Sequence, residues 1–150
     1  MIARSGDGYY HPSTEEEVVA LVQYAAANSL QIRVRGASHS TAWSIFTDPV
    51  NGKPENRTLD RLPPAGPNLD LVLDQMNGLN WIDEANGVVE AEAGIHLGAD
   101  PYDPVGVATL ENSLLYQLFQ KGWALNDLGG ITHQTISGFL ATGSSGGLVR

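Results

Sequence analysis

The chemistry-bearing residue types of this 150-residue chain gather in two short stretches, and the first ends beside a histidine. In Arg33-Val34-Arg35-Gly36-Ala37-Ser38-His39-Ser40 an extended pattern gives way to a slim turn. Ile32 and Val34 point one way from an extended segment, and Arg33 and Arg35 point the other. Gly36 permits backbone angles closed to other residues, while Ala37 and Ser38 let a ligand approach main-chain N–H groups. Such a turn is a candidate anion nest, with His39 and Ser40 at its lip. A solvent-facing strand edge is the alternative reading of the two arginines.

The second stretch runs from Gly129 through Thr132-His133-Gln134-Thr135-Ile136-Ser137-Gly138-Phe139-Leu140-Ala141-Thr142-Gly143-Ser144 to Gly147. Its glycines allow close backbone approach, and its hydroxyls and amides supply donors. It lacks the Gly-Lys-Ser/Thr of a P-loop and the spacing of a dinucleotide fingerprint. From the residues themselves, two Gly/Ser/Thr-rich segments, one basic at its edge, point to an anionic ligand.

The rest of the composition narrows the classes. A formal net charge of −9 excludes general nucleic-acid binding, because phosphate backbones are held by clustered Lys and Arg. Two of the eight basic residues nonetheless flank the candidate nest. There is no cysteine, hence no disulfide framework, thiolate nucleophile or Cys-based metal site. No signal-peptide pattern is visible and no apolar run reaches membrane-spanning length, so the expectation is a soluble chain without a membrane partner. The compartment stays open. Asn56-Arg57-Thr58 matches a glycosylation acceptor, a motif short enough to arise by chance.

The elements that position these stretches follow in order. Met1 to Gly8 reads as an arm and Tyr9-Tyr10-His11-Pro12 as a short extended piece. Ser13 or Thr14 caps a helix whose Glu15-Glu16-Glu17 favours the positive end of the dipole, with Val18, Leu21, Val22, Ala25 and Ala26 on one face and a stop at Asn28-Ser29. Leu30 to Arg35 is the strand expected to return beside the first, making a βαβ-like unit. His11 is assigned to packing or solvent. Thr41 to Leu69 reads as a long loop, with Trp43 and Phe46 as its anchors. Leu69-Asp70-Leu71-Val72-Leu73 is a strand. Asn86-Gly87 predicts the turn of an antiparallel hairpin ending in Val88-Val89-Glu90-Ala91-Glu92-Ala93-Gly94, with Glu90 and Glu92 on its solvent face. His96 has no assigned partner. Leu110 to Gln120 predicts an amphipathic helix through Leu114, Leu115, Leu118 and Phe119, closed at Gly122. No i, i+4 pair of ligands appears there, so no metal is expected. The fold class is α+β.

Taken together, Arg35-Gly36-Ala37-Ser38-His39-Ser40 and the late Thr135-Ile136-Ser137-Gly138-Phe139-Leu140-Ala141-Thr142-Gly143 resemble the vanillyl-alcohol oxidase / p-cresol methylhydroxylase family of flavoproteins. The resemblance spans about Tyr10 to Gly147, and the Tyr10-His11-Pro12-Ser13-Thr14 opening is similar to that family's FAD-binding domain. It implies a PCMH-type FAD-binding domain: a βαβ-like N-terminal subdomain, then an antiparallel or mixed sheet with helices. It also implies that Arg35 to Ser40 wrap the FAD pyrophosphate and that His39 is bonded covalently to the flavin 8α-methyl carbon. Gly130, Thr135, Ser137, Gly138, Thr142 and Ser144 are implied at the pyrophosphate and the isoalloxazine edge. Ser144-Ser145 stands where many relatives carry a histidine. With Gly122-Trp123-Ala124-Leu125-Asn126-Asp127-Leu128, the resemblance points to oxidation of an alcohol, in sugar alcohols, aldonolactones or sterols. The reaction is hydride transfer to flavin N5, with O2 or another acceptor.

Family enzymes are several hundred residues long. Residues 1–150 are therefore expected to be the N-terminal part of the FAD-binding domain, inactive alone. The substrate domain and catalytic base would lie on further polypeptide of the same enzyme or on a second subunit. Two other readings remain at this stage: a non-catalytic nucleotide- or anion-binding module serving in assembly, and a structural α+β domain whose Gly and Ser runs are only loops.

Overall fold

Three consecutive glutamates after a hydroxyl residue start the first helix. In the computed structural model, which describes residues 1–47 and 66–146, α1 spans Glu15–Ala27. Thr14 Oγ1 accepts the Glu17 amide at 3.3 Å, and the Glu17 carboxylate reaches back to the Ser13 amide at 2.7 Å. This is a capping box displaced by one residue. The bonds from Ser13 hold the Glu17 carboxyl below its ordinary pKa. The helix ends in a Schellman motif, with the Leu30 amide on Ala25 O at 2.9 Å and the Ser29 amide on Ala26 O at 3.3 Å. Ser29 adopts the left-handed φ of 54° that this ending requires.

The chain divides into two units, Met1–Met76 and Asn77–Arg150. In the first, β1 (Ile32–Arg35) pairs in parallel with β2 (Leu69–Val72), from Ile32↔Leu69 to Arg35↔Val72. Tyr10 bridges Leu71, also in parallel, donating its amide to Asp70 O at 2.9 Å and accepting the Val72 amide at 3.0 Å. The strand after α1 therefore does not return beside the Tyr10 segment as expected. β2 lies between them, because Leu69 and Leu71 are the residues apolar enough to sit at the centre, and both are buried.

One face of this sheet packs Leu69 and Leu71 on Leu21 and Ala25 of α1, joined by Ile2, Tyr10, Leu30 and Ile32. The buried stripe of α1 is narrower than its sequence pattern, since Val22 and Ala26 are exposed. So narrow a sheet covers only the Leu21–Ala25 line. The Met1–Gly8 arm is tied down: Arg4 donates to the carbonyls of Gly66 and Asn68 and its guanidinium lies 5.4 Å from the Tyr10 ring centroid. Past β1, a short helix α2 covers Ala42–Ile45. Ile45 is its buried residue, whereas Trp43, expected as an anchor, is 76% exposed. The glycosylation pattern at Asn56 and most of the expected Thr41–Leu69 loop lie outside the described residues.

In the second unit β3 (Leu79–Asp83) and β4 (Val88–Ala91) form the expected antiparallel hairpin. Its connection is a 3-10 turn, Glu84–Asn86, followed by Gly87 at φ 69°, longer than a two-residue Asn-Gly turn. Asp83 enforces it by accepting the Asn86 amide at 3.2 Å and the Asn86 side chain at 2.7 Å. Glu90 accepts from Asn80 Nδ2 at 3.0 Å and Glu92 from the Gly78 amide at 2.6 Å, so this pair braces the hairpin. Helix α3 (Leu114–Gln120) begins later than the pattern suggests and is closed by Gly122 at φ 75°. Phe119, read as core, is exposed; Ile95, Leu97, Leu114, Leu118 and Phe139 form the core instead. The glycine- and serine-rich late run contains a helix, α4 (Ile136–Ala141), which its composition hides. Among the described residues no helix is long and apolar enough to cross a membrane.

Candidate functional site

β1 delivers Arg35 to the sheet face opposite α1, and there the side chain is buried, 5% exposed, instead of solvent-facing. Tyr9 and Asp70, both buried, share that face. Burial raises the pKa of the Tyr9 hydroxyl, and the nearby Arg35 guanidinium opposes the shift. Arg33, the next outward residue, is exposed, so the two arginines expected to act alike have separate environments.

Arg35 Nε donates to Ser38 Oγ across the turn. Ser38 has a φ of 58°, the left-handed conformation that Gly36 was expected to supply. A non-glycine residue is held there only by specific contacts, and the guanidinium–hydroxyl bond is such a contact. A left-handed residue in a turn brings successive N–H groups toward one side, the geometry of an anion nest. Among the described residues no hydrogen bond engages the main-chain amides of Gly36, Ala37, Ser38 or Ser40. The turn Arg35 to Ser40 thus carries four amides that no described residue engages, close to a buried cation. Gly36 to Ser40 are all partly exposed, His39 among them. This donor set fits the diphosphate of a cofactor such as FAD.

The late run uses its donors differently. Thr135 Oγ1 accepts the Gly138 amide at 3.3 Å as the cap of α4. Thr142 Oγ1 donates to Gly138 O at 2.8 Å and lies 2.8 Å from Ser144 Oγ, which also takes Gln134 Nε2 at 3.1 Å. The amides of Ser137, Thr142 and Ser144 bond to Ala93, Gly138 and Phe139 carbonyls. Gly130 has open space where a Cβ would stand, whereas a Cβ on Gly138 would meet Thr135 Oγ1 at 3.1 Å. Within their own unit these six residues chiefly build α4 and its flanks.

The second unit also gathers residues that the sequence left apart. The His96 ring Nδ1 lies 2.6 Å from His133 O; a carbonyl only accepts, so Nδ1 is the donor. Asp100, buried, stands 3.6 Å from His133 Nδ1 and accepts the Tyr102 amide at 3.0 Å. The Tyr102 ring is edge-on to His133 at 6.2 Å. The pairing of Leu97 with Gln134 and Gly98 with Thr132 creates this cluster; no local spacing announces it. Among the described residues no group of His, Asp and Glu is arranged to hold a metal ion.

No family model matches the chain, and no solved structure matches it. It is similar to a D-arabinono-1,4-lactone oxidase of Eremothecium gossypii, 27% identical over 140 residues. The similarity takes in 92% of this chain and 20% of that protein. The chain thus resembles an oxidase along nearly all of its own length and spans about a fifth of the length of that relative.

Proposed function

We propose that this chain is the FAD-binding part of a flavin-dependent oxidoreductase, with a PCMH-type fold, whose substrate bears a CH–OH group. The observation that carries this reading is the turn Arg35 to Ser40, where the amides of Gly36, Ala37, Ser38 and Ser40, which no described residue engages, adjoin a buried guanidinium. The similarity to an oxidase that bears a lactone substrate in its name supports the same class. Bound flavin would supply the two-electron acceptor for the carbon–hydrogen bond.

In this reading the amides of Gly36 to Ser40 hold the diphosphate, and Arg35 offsets its charge from beneath the turn. His39, in the same turn, is the residue proposed to bond the flavin 8α carbon. The catalytic base and the substrate pocket are proposed to reside on further polypeptide, in the same enzyme or a second subunit. A visible spectrum of protein purified without added cofactor tests the cofactor: the absorption bands of an oxidised flavin are expected. A colourless protein that also fails to take up FAD would refute the reading. Bleaching of the bound flavin by a sugar alcohol or an aldonolactone, tested anaerobically with the intact enzyme, separates a redox enzyme from a binding module.

A further inference from the structure

The loop that carries His39 is fastened at both ends to the same face of the β1/β2 sheet. At its start Arg35 holds Ser38. At its end Asp70, from the middle of β2, takes both donors of Thr47: the amide at 2.9 Å on Oδ1 and the hydroxyl at 2.7 Å on Oδ2. Asp70 is 2% exposed and Thr47 is buried beside it. Between the two fastenings lie the amides of Gly36, Ala37, Ser38 and Ser40, His39 and α2, with Ile45 as the buried contact.

A carboxylate in so buried a position is costly unless its oxygens are hydrogen-bonded. Burial raises the Asp70 pKa, while the Thr47 bonds, Arg4 and Arg33 act against that rise. Both partners on its oxygens are donors, the pattern that an ionised carboxylate satisfies. An apolar residue at position 70 would serve a sheet interior at less cost. The position is therefore better explained by what it fastens.

We infer that Asp70 is a positioning residue for the His39 turn: through Thr47 it closes the loop against the sheet, so that the anion-binding amides are arrayed before any ligand arrives. Preorganised binding groups gain affinity because less ordering remains for the ligand to impose. The inference rests on the proposed flavin reading for its ligand, but its structural half stands without one.

The test uses Asp70→Asn, Thr47→Val and Thr47→Ser in the intact protein, with FAD as the probe. Hydrogen exchange of the ligand-free protein reads the loop. In Asp70→Asn and Thr47→Val, amides of residues 37–46 are expected to exchange about tenfold faster, as for loss of one hydrogen bond to a charged group, while those of α1 are unchanged. Thr47→Ser keeps the hydroxyl and should retain parental exchange. FAD affinity should fall by about the same factor in the first two variants and hold in the third. Unchanged loop exchange overturns the inference, as does faster exchange with unaltered FAD affinity. If Asp70→Asn fails to fold, Thr47→Val and Thr47→Ser decide it. Should the parent protein bind no FAD, the flavin reading fails, and exchange alone then decides whether Asp70 fastens the loop.

Discussion

His11 Nδ1 lies 2.6 Å from Asp74 Oδ1, with the other ring nitrogen 2.9 Å from Asp7 Oδ2. A carboxylate only accepts, so an imidazole between two of them must donate from both nitrogens, which requires the cationic form. Burial acts against that form, but the hydrogen bonds and charges of Asp74 and Asp7 outweigh it, and the His11 pKa is raised above its ordinary value.

A raised folded-state pKa fixes the sign of the linkage. The stabilisation from His11 is fully present below the unfolded value of 6.5 and disappears as pH rises through the folded value. His11→Gln should therefore cost stability at mildly acidic pH, by about 2 kcal/mol for lost charge-assisted bonds, and progressively less in alkali. Urea unfolding of both proteins across pH measures this; a gap independent of pH would contradict the cationic assignment.

His39→Ala separates cofactor attachment from folding. His39 is only partly buried, so its loss should change stability by about 1 kcal/mol or less. If the imidazole forms the proposed bond, acid-precipitated variant is colourless while the parent pellet stays yellow. Peptide mass of the residue 39 segment from the parent reads the attachment directly.

Gly98 is a steric requirement. A Cβ there would stand 2.5 Å from Thr132 Oγ1 and 2.8 Å from Thr132 Cβ, across the close pairing in which the Gly98 amide meets Thr132 O at 2.6 Å. Gly98→Ala should destabilise by about 1–3 kcal/mol, the range for overpacking a tight site. The variant should also separate Asp100 from His133. Denaturant midpoints test the first effect and His133 proton shifts the second.

Ser29 offers a gain. It occupies the left-handed position that ends α1, and glycine adopts that conformation without the penalty of a Cβ. Ser29→Gly should stabilise by about 1 kcal/mol, raising Tm by roughly 3 °C for a chain of this size. A thermal scan suffices.

Local signals made part of this structure legible. Thr14 and the following glutamates marked α1, alternation marked the β3/β4 hairpin, and Gly122 marked the end of α3, because caps and periodicity are properties of neighbouring residues. What escaped was long-range. Nothing near Tyr10 says that Leu69–Val72 will lie between it and β1. That Arg35 would be buried was not legible, because Tyr9, its companion on the buried face, arrives from another strand segment. His11 read as inert because Asp74 is 63 residues away. The turn Arg35 to Ser40 was found as a candidate nest, but with Gly36 in the role that Ser38 fills. In the late run, Gly138 and the hydroxyls concealed α4, whose first turn is secured by the Thr135 side chain and not by intrinsic helix propensity.

The three tryptophans fall on opposite sides of the division between the units. Trp43 projects into water from the loop that follows His39, whereas Trp81 and Trp123 meet edge to face at 5.3 Å. Indole emission depends on solvent contact, so the chain holds two optical channels. The solvated indole near the candidate nest reports on ligand capture, and the paired indoles report on melting of Asn77–Arg150. A single fluorescence titration can thus resolve capture from unfolding without any attached dye.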